Sequence, residues 1–356
     1  MNILVPTSEI LNYLFFSILA GHIILLFVPE SMKPSTRVPK PLLLLSTLGI
    51  FVCSLVPVIG AAAYFSEGPD LLPMLLSVIT TFTIGKVWLL SGFVATFFWM
   101  TLYVEGNKYL QAFWLLLLVG AVGSASHVAS LSFKEGFVFH SMHFLTVILW
   151  VGILLHVGWF AKDINNWSEF LKWFNLFALT CFLLAAASGF VLMTYIIEPG
   201  QYLNSWGIPY GQVLLLKHIS AAAVVVFAFL NGVLSRKIIK DPTFNPLPWV
   251  RMEGLLLLIV FSLTGVLSTL SPPHETTLTS AVSPWLKWIT GDVLSIPLDI
   301  QLDLSLSGVL LTVMSIVFIA LILVSFLKQD KPILALLFGL GFIGSLYLGL
   351  MMNLQL

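Results

Sequence analysis

Runs of about twenty apolar residues recur along this chain, and a run of that length is enough helix to cross the hydrocarbon core of a bilayer. A backbone in lipid must satisfy its own N–H and C=O groups, so such runs fold as α-helices. By this measure the 356 residues hold about ten spans, at 9–29, 41–65, 83–103, 109–130, 138–160, 172–197, 211–233, 252–271, 304–327 and 332–353. Composition agrees: 59% of the residues are hydrophobic and 9% charged, too few charges to cover a soluble surface. The expected fold is an all-α, polytopic transmembrane helical bundle in the cytoplasmic (plasma) membrane, with the lipid bilayer as a partner.

The links between spans alternate in charge. Lys33, Arg37 and Lys40 share one link, Arg236, Lys237, Lys240 and Arg251 lie around another, and Lys328 and Lys331 bound the last. Between them come acidic links with Glu67 and Asp70, then Glu198, then Glu275, Asp292, Asp299 and Asp303. The positive-inside rule makes the basic links cytoplasmic and both termini extracytoplasmic. Trp285 and Trp288 then belong to an outer interfacial piece. The N-terminus MNILVPTSEI has no basic region, and Gly21-His22 interrupts the apolar run after it, so the first helix is expected to be retained. Net charge is zero, with no basic block and no Gly-rich phosphate loop, which argues against nucleic acid and nucleotide partners and against ATP coupling within this chain. Cys53 and Cys181 sit in apolar runs without CxxC spacing and read as packing residues.

Spans one to four and five to eight look like two copies of one four-helix unit. Gly85-Lys86-Val87-Trp88-Leu89-Leu90 resembles Gly211-Gln212-Val213-Leu214-Leu215-Leu216 at the start of each third helix, and GAVGSASH and GVLSTLSPPH end the fourth helices with His127 and His274. An even number of spans per copy makes the repeats parallel, related by an axis along the membrane normal. The chain therefore divides into a first repeat, 1–130, a second, 137–275, an extracytoplasmic interfacial loop, 276–303, and a C-terminal hairpin, 304–356.

Seven histidines stand out against this background. On the topology above, His127, His140, His143, His218 and His274 fall at or near the outer helix ends, while His22 and His156 fall in the inner halves of helices one and five. His140 and His143 are three residues apart, on one helical face, and can chelate a single ion. Imidazole suits copper, iron and zinc, and a thioether such as Met142 between them, or Met74 and Met193 nearby in depth, shifts the choice toward Cu(I). The metal candidates are His127, His140, His143, His218, His274, Met142, His22 and His156. Lys86 reads as a lysine snorkelling to the outer headgroups, and Lys217 beside His218 has an open role.

Spans five to eight resemble the CopD copper-resistance and copper-uptake family: a His-bearing helix runs into ILWVGILL, followed by LNSWGIPYGQVLLLKH, a helix with Asn231-Gly232 and a closing STLSPPHE. The first half resembles it more loosely, through GHIILL and TTFTIGKVWLL, so the likeness covers roughly residues 8–275. The resemblance implies copper movement across the cytoplasmic membrane, with a separate CopC-type copper-binding protein as a partner. It also implies kinship with four-helix membrane cytochromes that hold haem between His pairs. His143 and His156, 13 residues or about 20 Å apart on one helix, have the spacing for an outer and an inner haem b, with His127 or His218 outside and His22 inside as ligands from other helices.

The function expected is a copper transport protein rather than an enzyme, with an outer His cluster that captures copper and His22 with His156 as an inner relay. The alternatives are a b-type haem protein that transfers electrons or reduces a metal, an oxidoreductase in that case, and an assembly factor that delivers copper to a membrane oxidase.

Overall fold

The computed structural model describes residues 3–66, 71–241, 244–273, 282–284, 286–287, 300–328 and 331–355, without the side chains of 234–240. His274, Trp285 and Trp288 and most of the interfacial loop 276–303 lie outside the described residues. The rest is almost wholly helical, in two compact units, Met1–Tyr195 and Ile196–Leu356. Among the described residues nine helices are long and apolar enough to cross a membrane, and the fold is the expected all-α polytopic bundle.

The first unit contains α1 (Leu4–Phe27), α2 (Lys40–Phe65), α3 (Leu71–Thr81), α4 (Thr83–Tyr103), α5 (Lys108–Ser124), α6 (His127–Leu131), α7 (Phe133–Phe160) and α8 (Trp167–Ile196). Helices α1, α2, α4, α5 and α7 pack in a ring, α1 closing against α7. Their shared core comprises Phe16, Leu19, Ala20 and Ile23 of α1, Leu43 and Ile50 of α2, Val94, Phe98 and Leu102 of α4, Leu115, Leu118 and Val119 of α5, and Phe144 and Ile148 of α7. The outer faces stay apolar: Leu48, Phe93, Leu116, Leu176 and Phe190 are all exposed, and a continuous coat of this kind needs lipid to cover it.

One end of this unit gathers most of its cations, Lys86 and Lys134 lying at the other. Lys33 Nζ donates to Leu25 O at 2.6 Å and pairs with Glu30 at 2.9 Å, and Lys108 Nζ reaches Leu26 O at 3.3 Å. Both thus reach carbonyls of the last turn of α1, where the helix dipole favours positive charge. Arg37 N donates to Phe160 O and Lys162 N to Ser35 O, so the α1–α2 and α7–α8 links pair as short extended segments. Asn166 Nδ2 reaches Glu30 O at 3.1 Å, and Trp173 Nε1 reaches Met32 O at 2.8 Å.

Two features depart from the expected spans. Residues 66–82, read as a link, contain the helix α3. At eleven residues it is about 16 Å long, too short to span. It instead buries Val78 against Val58 and Ala62 of α2, with Met74 packed in that cluster, and Gly85 permits the corner because a Cβ there would overlap the Val78 carbonyl. Met74 is therefore a packing residue of this cluster. The span expected at 109–130 breaks after Ser124, and Ser126 caps a new short helix by accepting from Ala129 N at 3.2 Å. In addition α7 begins at Phe133, not at 138, so His140 and His143 stand about 10 and 15 Å inside the helix rather than at its tip.

The second unit contains α9 (Tyr202–Ser205), α10 (Pro209–Lys240), α11 (Leu247–Leu267), α12 (Leu306–Lys328) and α13 (Pro332–Met351). Helix α10 packs on α11, and α13 lies against both, its Gly339 facing Phe227 and Leu256. The α12–α13 hairpin is closed at its terminal end by the antiparallel pair β1 (Gln301–Leu302) and β2 (Leu354–Gln355). There Ser305 Oγ donates to Met352 O and Ser305 N to Asn353 Oδ1, both at 2.9 Å. Gly211 begins α10 against α9, since a Cβ would overlap the Ser205 carbonyl.

Candidate functional site

Helix α7 carries three of the candidate histidines, and its packing separates them. Adjacent helix positions turn by about 100°, so His143 and His156, 13 residues apart, point to different neighbours. His143 faces α8, where its Nδ1 lies 2.8 Å from Ala185 O; Gly189 leaves room for the ring, since a Cβ would come within 3.2 Å of it. A carbonyl oxygen can only accept, so the proton sits on Nδ1 and the lone pair on Nε2.

His156 repeats this arrangement deeper in the unit. It is 1% exposed, and its Nδ1 donates to Gly152 O at 2.7 Å within its own helix. Its Nε2 has no hydrogen-bond partner among the described residues. The ring sits where α1 and α7 touch: a Cβ on Gly21 would overlap the Gly152 carbonyl and His156 Nδ1, and one on Gly152 would overlap Ser17 O. Small residues at such a crossing let two membrane helices approach backbone to backbone. An imidazole with one nitrogen tied to a carbonyl and the other bare is the form that ligates metals, because the tied N–H fixes the tautomer and the ring orientation.

His22 lies one residue beyond this crossing on α1, within electrostatic reach of His156. It is five residues from the end of α1, and His156 four from the end of α7, so the two stand about 7 and 6 Å inside the cation-bearing end. His22 also lines a recess of about 590 Å³ together with Lys40, Leu43, Glu105, Lys108 and Gln111. At its mouth Lys40 Nζ and Glu105 Oε1 pair at 2.9 Å, and that lysine holds the Glu105 carboxyl below the usual carboxylate range. Gln111, buried, donates from Nε2 to Gly106 O at 2.8 Å and faces His22. The sequence reading passed over Gln111; a polar side chain in the first turn of α5 looks like an ordinary helix-end residue.

The remaining candidates are dispersed. His127 is exposed at the start of α6, where its carbonyl accepts from Ser130 Oγ. His140 and Met142 are half-buried on α7, Met142 turned away from His143 by about 100°. His218, exposed on α10 of the second unit, shares a 2.9 Å hydrogen bond between Nδ1 and the Tyr202 hydroxyl; burial pushes that phenol above its ordinary range. Among the described residues no three His, Cys, Asp or Glu side chains converge as a metal-binding group. Cys53 and Cys181 are buried and unpaired, and Lys86 is exposed.

The second unit holds a polar pair that the sequence reading missed. Asn231 of α10, named above only for its place in a motif, donates from Nδ2 to Glu253 Oε2 of α11 at 2.5 Å. Both residues are buried, Glu253 to 2% exposure. A lone glutamate flanked by Arg251 and Met252 reads as an interfacial charge until the neighbouring helix is in place.

The fold and these sites describe a multi-pass helical membrane protein. Residues 168–267 match the family model of copper resistance protein D, CopD, which bears out the resemblance over that segment. No curated protein matches the chain, and no solved structure does.

Proposed function

We propose that this protein moves copper across the cytoplasmic membrane and that His156, with His22, is a coordination point on the path. The observation that carries the reading is the His156 imidazole, buried, tied through Nδ1 and bare at Nε2. An unpaired polar nitrogen in a membrane protein interior costs free energy on the order of 1–3 kcal/mol, and a soft cation bound there would recover it. The match to CopD supports copper as the cargo. His127, His140 and His143 in the first unit and His218 in the second are the candidates for capture on the outer side, with Met142, between His140 and His143 in sequence, and His274 as further candidates. A separate CopC-type protein is the proposed donor. The two repeats, 1–130 and 137–275, are part of the same proposal, supported by the like use of Gly85 and Gly211 to seat a short helix at the start of α4 and α10.

Copper uptake into proteoliposomes tests the reading. His156→Ala should lower uptake by more than about tenfold while the protein still inserts and folds. Uptake equal to the wild type would leave His156 as a packing residue.

One observation favours a second reading. Two imidazoles on α7, His143 and His156, both donate Nδ1–H to backbone carbonyls, as axial haem ligands do when their tautomer is fixed. Bound haem b would supply one-electron chemistry; His143 and His156, about 20 Å apart on α7, would each hold the iron of a separate haem. Intense Soret and alpha bands from the purified protein, reduced in His156→Ala, would establish it in place of copper transport.

A further inference from the structure

Glu253 occupies an environment in which a carboxylate is poorly supported. It stands six residues into α11, about 9 Å from the helix start, enclosed by the buried Val250, Gly254, Leu256 and Leu257 of its own helix. The groups that face it from the packed elements are few. From α10 comes Asn231; on α11 Arg251 is exposed; on α12 Phe326 packs against Trp249 near this end and Lys328 is exposed. On α13 the titratable group is Tyr347, near the opposite end of that helix. Among the described residues the polar contact of Glu253 is thus Asn231, and a carboxylate buried without a cation is costly in a membrane protein.

Asn231 carries the complementary defect. Its Nδ2 donates to Glu253 Oε2 and, more weakly, to Trp249 O at 3.5 Å, while its Oδ1 is buried without a donor. A neutral carboxyl group supplies what is missing: its O–H can donate to the amide oxygen while its other oxygen accepts the amide N–H, the eight-membered ring of an acid–amide pair. One proton therefore removes the buried charge and satisfies Oδ1 together.

We propose that Asn231 and Glu253 form a proton-binding site in the second unit, and that Glu253 takes up and releases this proton as the protein moves copper. The ligand is H⁺, bound as Glu253–COO⁻ + H⁺ → Glu253–COOH. Glu253 stands about 9 Å along α11 from the helix end at Leu247, the end near which Arg251 is exposed. The coupling to copper rests on the transport reading; the proton site does not.

Infrared spectroscopy of the full-length protein in lipid nanodiscs tests the site. At neutral pH the wild type should show a protonated-carboxyl C=O band that is lost in Glu253→Gln and shifted in Asn231→Ala. A wild-type spectrum that Glu253→Gln leaves unchanged in this region overturns the proposal. If Glu253→Gln does not insert, the Asn231→Ala arm decides, and an unshifted band overturns it. For the coupling, copper is added to proteoliposomes containing a pH-sensitive dye. Wild-type protein should change the internal pH as copper enters, and Glu253→Gln should lose the pH signal. An equal pH signal in the variant overturns the coupling. Absence of copper movement in the wild type overturns the transport reading and the coupling with it, while the infrared arm still decides whether Glu253 holds a proton.

Discussion

Glu105 shows how an exposed residue can still be set by its partner. It follows α4 with φ 53°, in the left-handed region, and this turn aims its carboxyl at Lys40. Because the folded-state value lies below that of the unfolded chain, the pair adds stability above the unfolded-state value and loses it as pH falls through the folded one. Both groups meet solvent, so the contribution is small and weakened by salt. Thermal unfolding in detergent should therefore show a shallow loss of stability on the acid side, and Glu105→Gln should remove that part of the slope. Identical acid profiles for the two proteins would mean that the pair contributes nothing. Lys33 is a different case, because its ammonium is buried against Leu25 O with Glu30 as counter-charge, so its loss would expose a helix end rather than a surface pair.

At the scale of elements, the α1–α7 crossing governs where His156 can stand. Gly21 and Gly152 meet so closely that neither tolerates a Cβ without backbone movement. Gly152→Leu should destabilise the protein by roughly 1–3 kcal/mol or more through overpacking, and should lower copper uptake with it, since the Gly152 carbonyl holds His156 Nδ1. Gly344→Leu is the control, as nothing lies within 4 Å of a Cβ there. Melting temperatures of the two variants make the comparison, and equal values would show that the crossing is not close-packed in the membrane. The same dependence on small residues recurs at α3 and near the end of α5. Gly85 lets α3 fold back on α2, and Gly123 brings α5 against Ser141 of α7.

For the whole molecule, Lys33, Arg37, Lys40, Lys108 and Lys162 gather at one end of the first unit, and the positive-inside rule predicts that this end faces the cytoplasm. Cysteines placed at Lys162 or Lys331 should resist an impermeant thiol reagent in intact cells, and cysteines at Gly200 or Asp303 should react with it. The native Cys53 and Cys181 are buried and give a low background. The reverse pattern would invert the topology, and His22 and His156 would then face the outside.

The sequence by itself determined the membrane class, the position of nearly every long helix and the helical neighbourhood of His140 and His143, because each depends on a local quantity: about twenty apolar residues, or a spacing of three along one helix. Tertiary structure decided the rest. The apolar character runs round most of these helices, so no polar face marks which side meets a neighbour. Hence the sequence could group His127, His140 and His143 by depth but not show that His143 turns to Ala185 of α8 and His156 to the α1 crossing. Nor could it pair Glu253 with Asn231, two residues 22 positions apart whose meeting depends on how α10 and α11 pack. Depth in a membrane follows from length along the chain, whereas partnership across helices follows from rotation about their axes, and that is fixed by small residues and close packing.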